Sequence, residues 1–266
     1  KNGDPAQIYQ YVAEKEWKDC GQLFAPSGLT SFRVSSMASF DGHLFASDNT
    51  DAVYRYEGNQ QWSVSGRPGS VDYTKYPAGD IVAMMPFQGK LYAARHGASV
   101  FCYTPGGEWE DIGAVFHNGR SGKFGNDQIH TLGVYEGRLY LGTWPDGKVL
   151  RYEGGHDYSE CGWVGIDPAL KRNEINDLTT YNGKLYAGVI PKAEIWRYEG
   201  DRKWTLVRPL LNNPDFNTKV STTWDRVPCM TVYKGRLYCG TGTCQGRGSP
   251  EFKYDVGKVF SFEAGK

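Results

Sequence analysis

Charge of one sign is the first thing this sequence lacks. Thirty lysines and arginines face 30 aspartates and glutamates, and the formal net charge is +0. No chain-wide positive field argues for nucleic acid, and no acidic excess argues for a solvating tail. Long apolar runs are missing too: none approaches the roughly 18 residues of a membrane span, and no signal-peptide pattern is visible. No segment with a 3.6-residue period is long enough for a helix. There is no phosphate loop, no Ser nucleophile elbow and no HExxH helix. No CxxC pair occurs, which argues against a structural zinc site.

What is present is aromatic and turn-rich. The chain has 18 tyrosines and 34 glycines, and aromatics make up 14%. Aromatic side chains suit a pleated, half-buried surface and glycine supplies positive φ, so the mixture predicts many short strands joined by tight turns.

Five segments line up as an internal repeat: SFDGHLFAS from Ser39, PFQGKLYAA from Pro86, VYEGRLYLG from Val134, TYNGKLYAG from Thr180 and VYKGRLYCG from Val232. Their turn glycines, Gly42, Gly89, Gly137, Gly183 and Gly235, are 47, 48, 46 and 52 residues apart. Each reads as a hairpin. A third strand follows each one, beginning at Ala52, Ser99, Lys148, Glu194 and Lys258. A fourth is usually opened by Trp, as with Trp62, Trp109 and Trp204. Four antiparallel strands per period of about 40–50 residues is the pattern of a propeller blade. The expected fold is therefore all-β, a single five-bladed β-propeller over residues 1–266.

The opening stretch IYQYVAEKEWKDCGQLF reads as a third and fourth strand without the first two. The strand around Trp17 is expected to pair with the Lys258–Glu263 strand and close the ring. Third-strand segments then number six against five hairpins, which keeps a six-bladed architecture as the alternative.

The units GKLYAG, VYRYEG and a Trp strand resemble those of secreted bacterial β-propeller repeat proteins, sometimes found beside laminin-G-like lectin domains. The resemblance covers nearly the whole chain. It implies an extracellular, sugar-related setting, with a neighbouring domain in a longer chain left open, and it carries no catalytic residues.

Repeat register also places the cysteines. Cys20 and Cys161 fall where other blades have Ser65, Ile112 and Val207, and Cys239 falls where they have Ala46, Ala93, Leu141 and Ala187. Such positions suit buried free thiols. Cys244, in a long loop of the last blade, is the exception, and a bridge to Cys229 or Cys239 is weighed for it.

Turns on one face of the repeat are nearly identical, whereas connections on the other vary from blade to blade, and variable loops on a rigid scaffold carry function. Residues opening the inner strands on that face are Arg33, Asp80, Gln128, Glu174 and Arg226, followed two places on by Ser35, Val82, His130, Asn176 and Pro228. The second strands end at Asp48, Arg95, Thr143, Val189 and Thr241, with His96 beside Arg95. Arg33, Asp48, Arg95, His96, His130, Trp144, Asp177 and Arg226 are the candidate ligand-binding residues. Each has a structural counterpart reading: Arg33, Asp80 and Arg226 can simply neutralise one another. Asp177 stands where other blades have Ser, Ala, Thr or Cys, so its carboxyl is expected to be buried with a raised pKa. Tyr73, Tyr76 and Trp224 in the variable loops can stack on sugars or merely anchor the loops.

Three functions compete. A carbohydrate-binding, lectin-like, secreted module is preferred, because no blade shows an unmistakable catalytic constellation. Its partner would be a glycan or another polar small ligand, with neither nucleic acid nor membrane. The alternative is a glycoside hydrolase with Glu174 as acid and Asp80 as base. Asp48, Asp127 and Asp177 are further carboxylates for it. A protein-interaction scaffold is the third. No cofactor or metal is called for, and a structural calcium ion is left open.

Overall fold

A computed structural model describes residues 7–23, 33–48, 52–68, 80–97, 99–114, 128–165, 173–211, 223–245 and 257–263. Tyr73, Tyr76 and Asp127 lie outside the described residues, and so do the side chains of Trp224 and Cys244. The fold is the five-bladed β-propeller expected from the repeat, with no helix among the described residues. The chain divides into two compact units, Lys1–Arg120 and Ser121–Lys266.

The first unit opens with a two-stranded sheet of β1 (Gln7–Ala13) and β2 (Glu16–Gln22). Blade one follows as β3 (Val34–Phe40), β4 (His43–Asp48), β5 (Val53–Gly58) and β6 (Gln61–Gly66). Blade two is β7 (Ile81–Phe87), β8 (Lys90–Arg95), β9 (Ser99–Tyr103) and β10 (Trp109–Ala114).

The second unit holds blade three, β11 (Gln128–Tyr135), β12 (Arg138–Trp144), β13 (Lys148–Gly154) and β14 (Asp157–Trp163). Blade four is β15 (Glu174–Tyr181), β16 (Lys184–Ile190), β17 (Glu194–Gly200) and β18 (Lys203–Pro209). Blade five is β19 (Thr223–Tyr233), β20 (Arg236–Gln245) and β21 (Val259–Phe262). Every ladder is antiparallel, and each blade runs from inner to outer strand in chain order.

One expectation fails. β2, which carries Trp17, pairs with β1 and not with β21, and blade five has three strands among its described residues. The reason is local. Ala13 and Glu16 pair across a two-residue turn at Glu14–Lys15, with Lys15 at φ 62°, so the hairpin closes at little entropic cost. Tyr11 lies opposite Trp17 with ring centroids 5.2 Å apart, the counterpart of Tyr56–Trp62 and Tyr198–Trp204, both at 4.9 Å. The hairpin is thus the outer half of a blade.

Adjacent blades are joined by apolar clusters and by a recurring set of polar clamps. Ala38, Phe45 and Val53 of blade one pack with Ile81, Met84 and Leu91 of blade two. Tyr140, Val149 and Cys161 of blade three pack with Ile175, Leu178 and Leu185 of blade four. Trp62 Nε1 donates to the Cys20 carbonyl at 2.7 Å, and Trp204 Nε1 to the Cys161 carbonyl at 2.8 Å.

Cys20 and Cys161 are buried free thiols, as the register predicts. Cys229 is exposed, and both it and Cys239 are free thiols among the described residues, while the bridge weighed for Cys244 falls on a side chain outside them. Alkylation of the native protein with a bulky maleimide should spare Cys20 and Cys161, and unfolding should expose both. Mass spectrometry reads the result, and a Cys20–Cys161 crosslink would contradict the structure.

Candidate functional site

The inner strands do more than present alternating side chains, because each carries a β-bulge near its start. Register shifts lie between Val34 and Ser36, Ile81 and Ala83, Ile129 and Thr131, Ile175 and Asp177, and Arg226 and Cys229. A bulge inserts one unpaired residue and re-aims its neighbours. The inserted residues include His130 and Asn176.

In the second unit this brings five polar side chains from three blades together. His130 Nδ1 lies 3.2 Å from Glu174 Oε1, and His130 Nε2 lies 2.7 Å from Gln128 Oε1. Asn176 Nδ2 donates to Glu174 Oε1. Arg226 acts on both His130 and Glu174 through its charge. Trp144 pairs across the ladder with Gln128 and is partly exposed.

Burial dominates the electrostatics. It pushes the His130 imidazole down to about 4, with the Arg226 guanidinium adding to the effect. It also raises Glu174, while Arg226 and the Asn176 hydrogen bond pull the other way. The imidazole is therefore neutral at physiological pH and has a single N–H. Both of its nitrogens nonetheless face oxygen atoms. Either Glu174 holds a proton and gives it to Nδ1, or Gln128 presents its amide NH₂ to Nε2. Two buried atoms of the cluster have no partner among the described residues: Asn176 Oδ1, which accepts, and Arg226 Nε, which donates.

Other candidates have structural duties. Asp177 accepts a hydrogen bond from the Met230 backbone N–H of the next blade, and Thr131 Oγ1 reaches its Oδ1 at 3.5 Å. The same clamp recurs where Ser36 Oγ accepts from Met84 N at 3.0 Å and Thr131 Oγ1 from Leu178 N at 3.3 Å. The expected rise in the Asp177 pKa is present, to about 6, and burial causes it.

In the first unit Arg33 and Asp80 form an ion pair, the mutual neutralisation weighed for them. The His96 N–H donates to the Asp80 carbonyl at 3.0 Å. Asp48 is buried and accepts from the Tyr54 hydroxyl at 2.9 Å. Arg95 is buried between Ile81 and Ser99, with Nε and Nη2 lacking a partner among the described residues. Thr143 and Thr241, at the Asp48 and Arg95 position, bridge to the backbone of Lys148 and Lys258 at 3.0–3.2 Å and clamp their own loops. Among the described residues no three His, Cys, Asp or Glu side chains gather as a metal site.

Gln128 and Asn176 were legible as repeat positions but not as partners. Nothing in a single blade signals that the bulges would set them against His130 and Glu174.

No protein-family model matches the chain, and no curated protein matches it. Solved structures do. One is the extracellular domain of a protein described as a hybrid two-component system from B. thetaiotaomicron, with TM-score 0.62, 13% identity and 93% of this chain covered. This chain spans 30% of that one. Another is virginiamycin B lyase from Staphylococcus aureus, in a catalytically inactive His-to-Ala form with quinupristin. It has TM-score 0.62 and 10% identity, with 97% of this chain and 77% of that one covered. BamB from Moraxella catarrhalis has TM-score 0.54 and 13% identity, covering 86% and 64%. At such identities the likeness bears on the fold alone. No helix among the described residues is long and apolar enough to cross a membrane.

Proposed function

We propose that the chain is an extracellular carbohydrate-binding propeller module whose site is the cluster of Gln128, His130, Glu174, Asn176 and Arg226. One observation carries this reading. Asn176 Oδ1 needs a donor and Arg226 Nε needs an acceptor, and both are buried without a partner among the described residues. A sugar hydroxyl is donor and acceptor at once and can serve both. The partly exposed Trp144 ring beside Gln128 offers an apolar platform for a sugar face. The extracellular setting draws support from the extracellular domain among similar structures. A glycan array followed by titration calorimetry of the hits tests the reading. Arg226→Ala should weaken the best hit at least ~10-fold, the size of a charge-assisted hydrogen bond, with the circular dichroism unchanged. An array with no hits, or an unaffected Arg226→Ala, rejects it.

A second reading is favoured by the Glu174–His130 contact. Burial raises the Glu174 carboxyl and lowers the His130 imidazole, the two directions that suit Glu174 as a general acid. A glycoside hydrolase would use Glu174 as its acid, and a lyase would lean on His130, as the inactive histidine variant of virginiamycin B lyase suggests for that protein. Glu174→Gln should then cut turnover at least ~10²-fold while substrate still binds. Turnover unchanged in Glu174→Gln removes the acid role.

A further inference from the structure

We propose, resting on the glycan reading of this cluster, that its Arg226 end is a subsite for a carboxylate and that the sugar bound there is a uronic acid.

Charge is the first ground. A guanidinium stays protonated at any pH a folded protein tolerates, and a charge drawn out of water needs an opposite one. Arg226 Nε is buried without a partner, and among the described residues no carboxylate forms an ion pair with this guanidinium. The carboxylates of the neighbouring strands are engaged elsewhere. Glu174 Oε1 is held by His130 Nδ1 and Asn176 Nδ2, and Arg226 reaches Glu174 only at longer range, through its charge. Burial also raises the Glu174 carboxyl, which works against a full negative charge there. Asp177 is turned to the Met230 N–H. Asp225 precedes Arg226 in β19, and alternation along a strand sends its side chain to the other face. A sugar hydroxyl would satisfy Nε and leave the charge unanswered. A carboxylate answers both needs, because its two oxygens match the parallel N–H groups along a guanidinium edge.

Room for that group is the second ground. Gln128, Glu174 and Arg226 hold one repeat position, and across the ladder from them stand Trp144, Ile190 and Gly242. Blade five thus lacks the side chain that blades three and four place beside this position. Backbone conformation does not ask for glycine there, since the φ of Gly242 is not positive. Close packing does not ask for it either. Among the described residues a Cβ on Gly242 would meet only Arg226 Cγ, at 3.8 Å, an ordinary contact. Gly242 and Arg226 are both partly exposed, so the space beside the guanidinium opens to solvent. A uronic acid carries its carboxylate on a ring bearing hydroxyls, and one of these supplies the donor that Asn176 Oδ1 lacks among the described residues.

The probes are oligosaccharides containing glucuronic or galacturonic acid, each paired on the array with its carboxyl-reduced form. Titration calorimetry of the full chain should show the acidic member binding at least ~10-fold more tightly, the difference one charged hydrogen-bond partner makes. Arg226→Gln keeps a polar side chain and removes the charge, so it should bring the two members to nearly equal affinity. Gly242→Val restores a β-branched side chain to the ladder, as Ile190 does in blade four. It should weaken the acidic member at least ~10-fold, with the circular dichroism unchanged. Leu206→Ser, exposed on β18 of the same unit, should bind as the parent does. Carboxyl-reduced members that bind as tightly as the acidic ones overturn the proposal and leave the glycan site standing. An acid preference that survives in Arg226→Gln overturns it as well, and so does an array on which sulfated glycans bind and uronates do not. An array with no hits removes the glycan reading and the subsite together.

Discussion

Gly162→Ala is expected to destabilise the second unit by about 2–5 kcal/mol, more than any single side-chain truncation at its surface. Gly162 sits in the fourth strand of blade three at φ 96°, a conformation that costs an L side chain about 1–2 kcal/mol. A Cβ there would also stand 2.3 Å from the Arg202 carbonyl oxygen of blade four. That oxygen belongs to a turn, and backbone moves less readily than a side chain, so overpacking adds about 1–3 kcal/mol. The close approach has a purpose, since it brings the Cys161 carbonyl within 2.8 Å of Trp204 Nε1. Gly21 repeats the arrangement at φ 88° against the Gln60 carbonyl, beside the Cys20–Trp62 bond. Urea unfolding should show a lower midpoint for Gly162→Ala with an unchanged slope. Gly183→Ala is the control: it shares a positive φ of 69° but has nothing within 4 Å, so it should show only the conformational part. Equal losses in the two variants would mean that the blade contact has no weight.

Asp177→Asn is expected to stabilise the protein above pH 7 by up to about 3 kcal/mol and to leave it unchanged near pH 4. The Asp177 carboxyl is pushed by burial to about 6 from an ordinary 3.8, so the folded state holds its proton more tightly than the unfolded chain does. Stability therefore falls as pH rises from about 4 through about 6, by roughly 1.4 kcal/mol for each pH unit crossed between those two values. Asparagine keeps an oxygen for the Met230 N–H and removes the charge, which takes this pH-dependent loss away. The Cys239 thiol beside Asp177, pushed up to about 12, adds no opposing charge in that range. His130 works in the other direction: its lowered pKa makes folded protein lose stability as pH falls through 6.5 towards 4. The parent profile is thus a sum of opposed slopes, and Glu174 adds to the Asp177 slope. Only the difference between parent and Asp177→Asn isolates the clamp. Denaturant titrations at pH 4, 6 and 8 measure it, and a difference that stays flat with pH would show the carboxyl is not held as described.

Asp177, a site candidate by sequence, makes this clamp to the next blade. Its polarity stood out against Ser, Ala, Thr and Cys in the register, and its burial was foreseen. Whether a buried carboxylate serves a ligand or the next blade depends on what faces it. The Met230 N–H is 53 residues away in sequence. Thr143 and Thr241 pose the same question, because a hydroxyl at a strand end can line a pocket or tie back its own loop. The bonds to Lys148 and Lys258 decide for the loop.

Sequence by itself determined the blade. The Gly42, Gly89, Gly137, Gly183 and Gly235 turns, the alternating apolar runs and the Tyr–Trp outer pairs are local signals, readable because a strand repeats every two residues and a hairpin turn tolerates few residue types. The same locality made Cys20 and Cys161 readable as buried thiols. What lies between blades was decided only by the tertiary structure. Bulges at His130 and Asn176 brought Gln128, Glu174 and Arg226 into one cluster. The partner of β2 was also settled there, because the Trp17 strand suits any third strand equally and a two-residue turn favours its neighbour β1 over the distant β21. A repeat makes every copy of a strand a good partner in sequence, so loop closure and three-dimensional packing must choose among them.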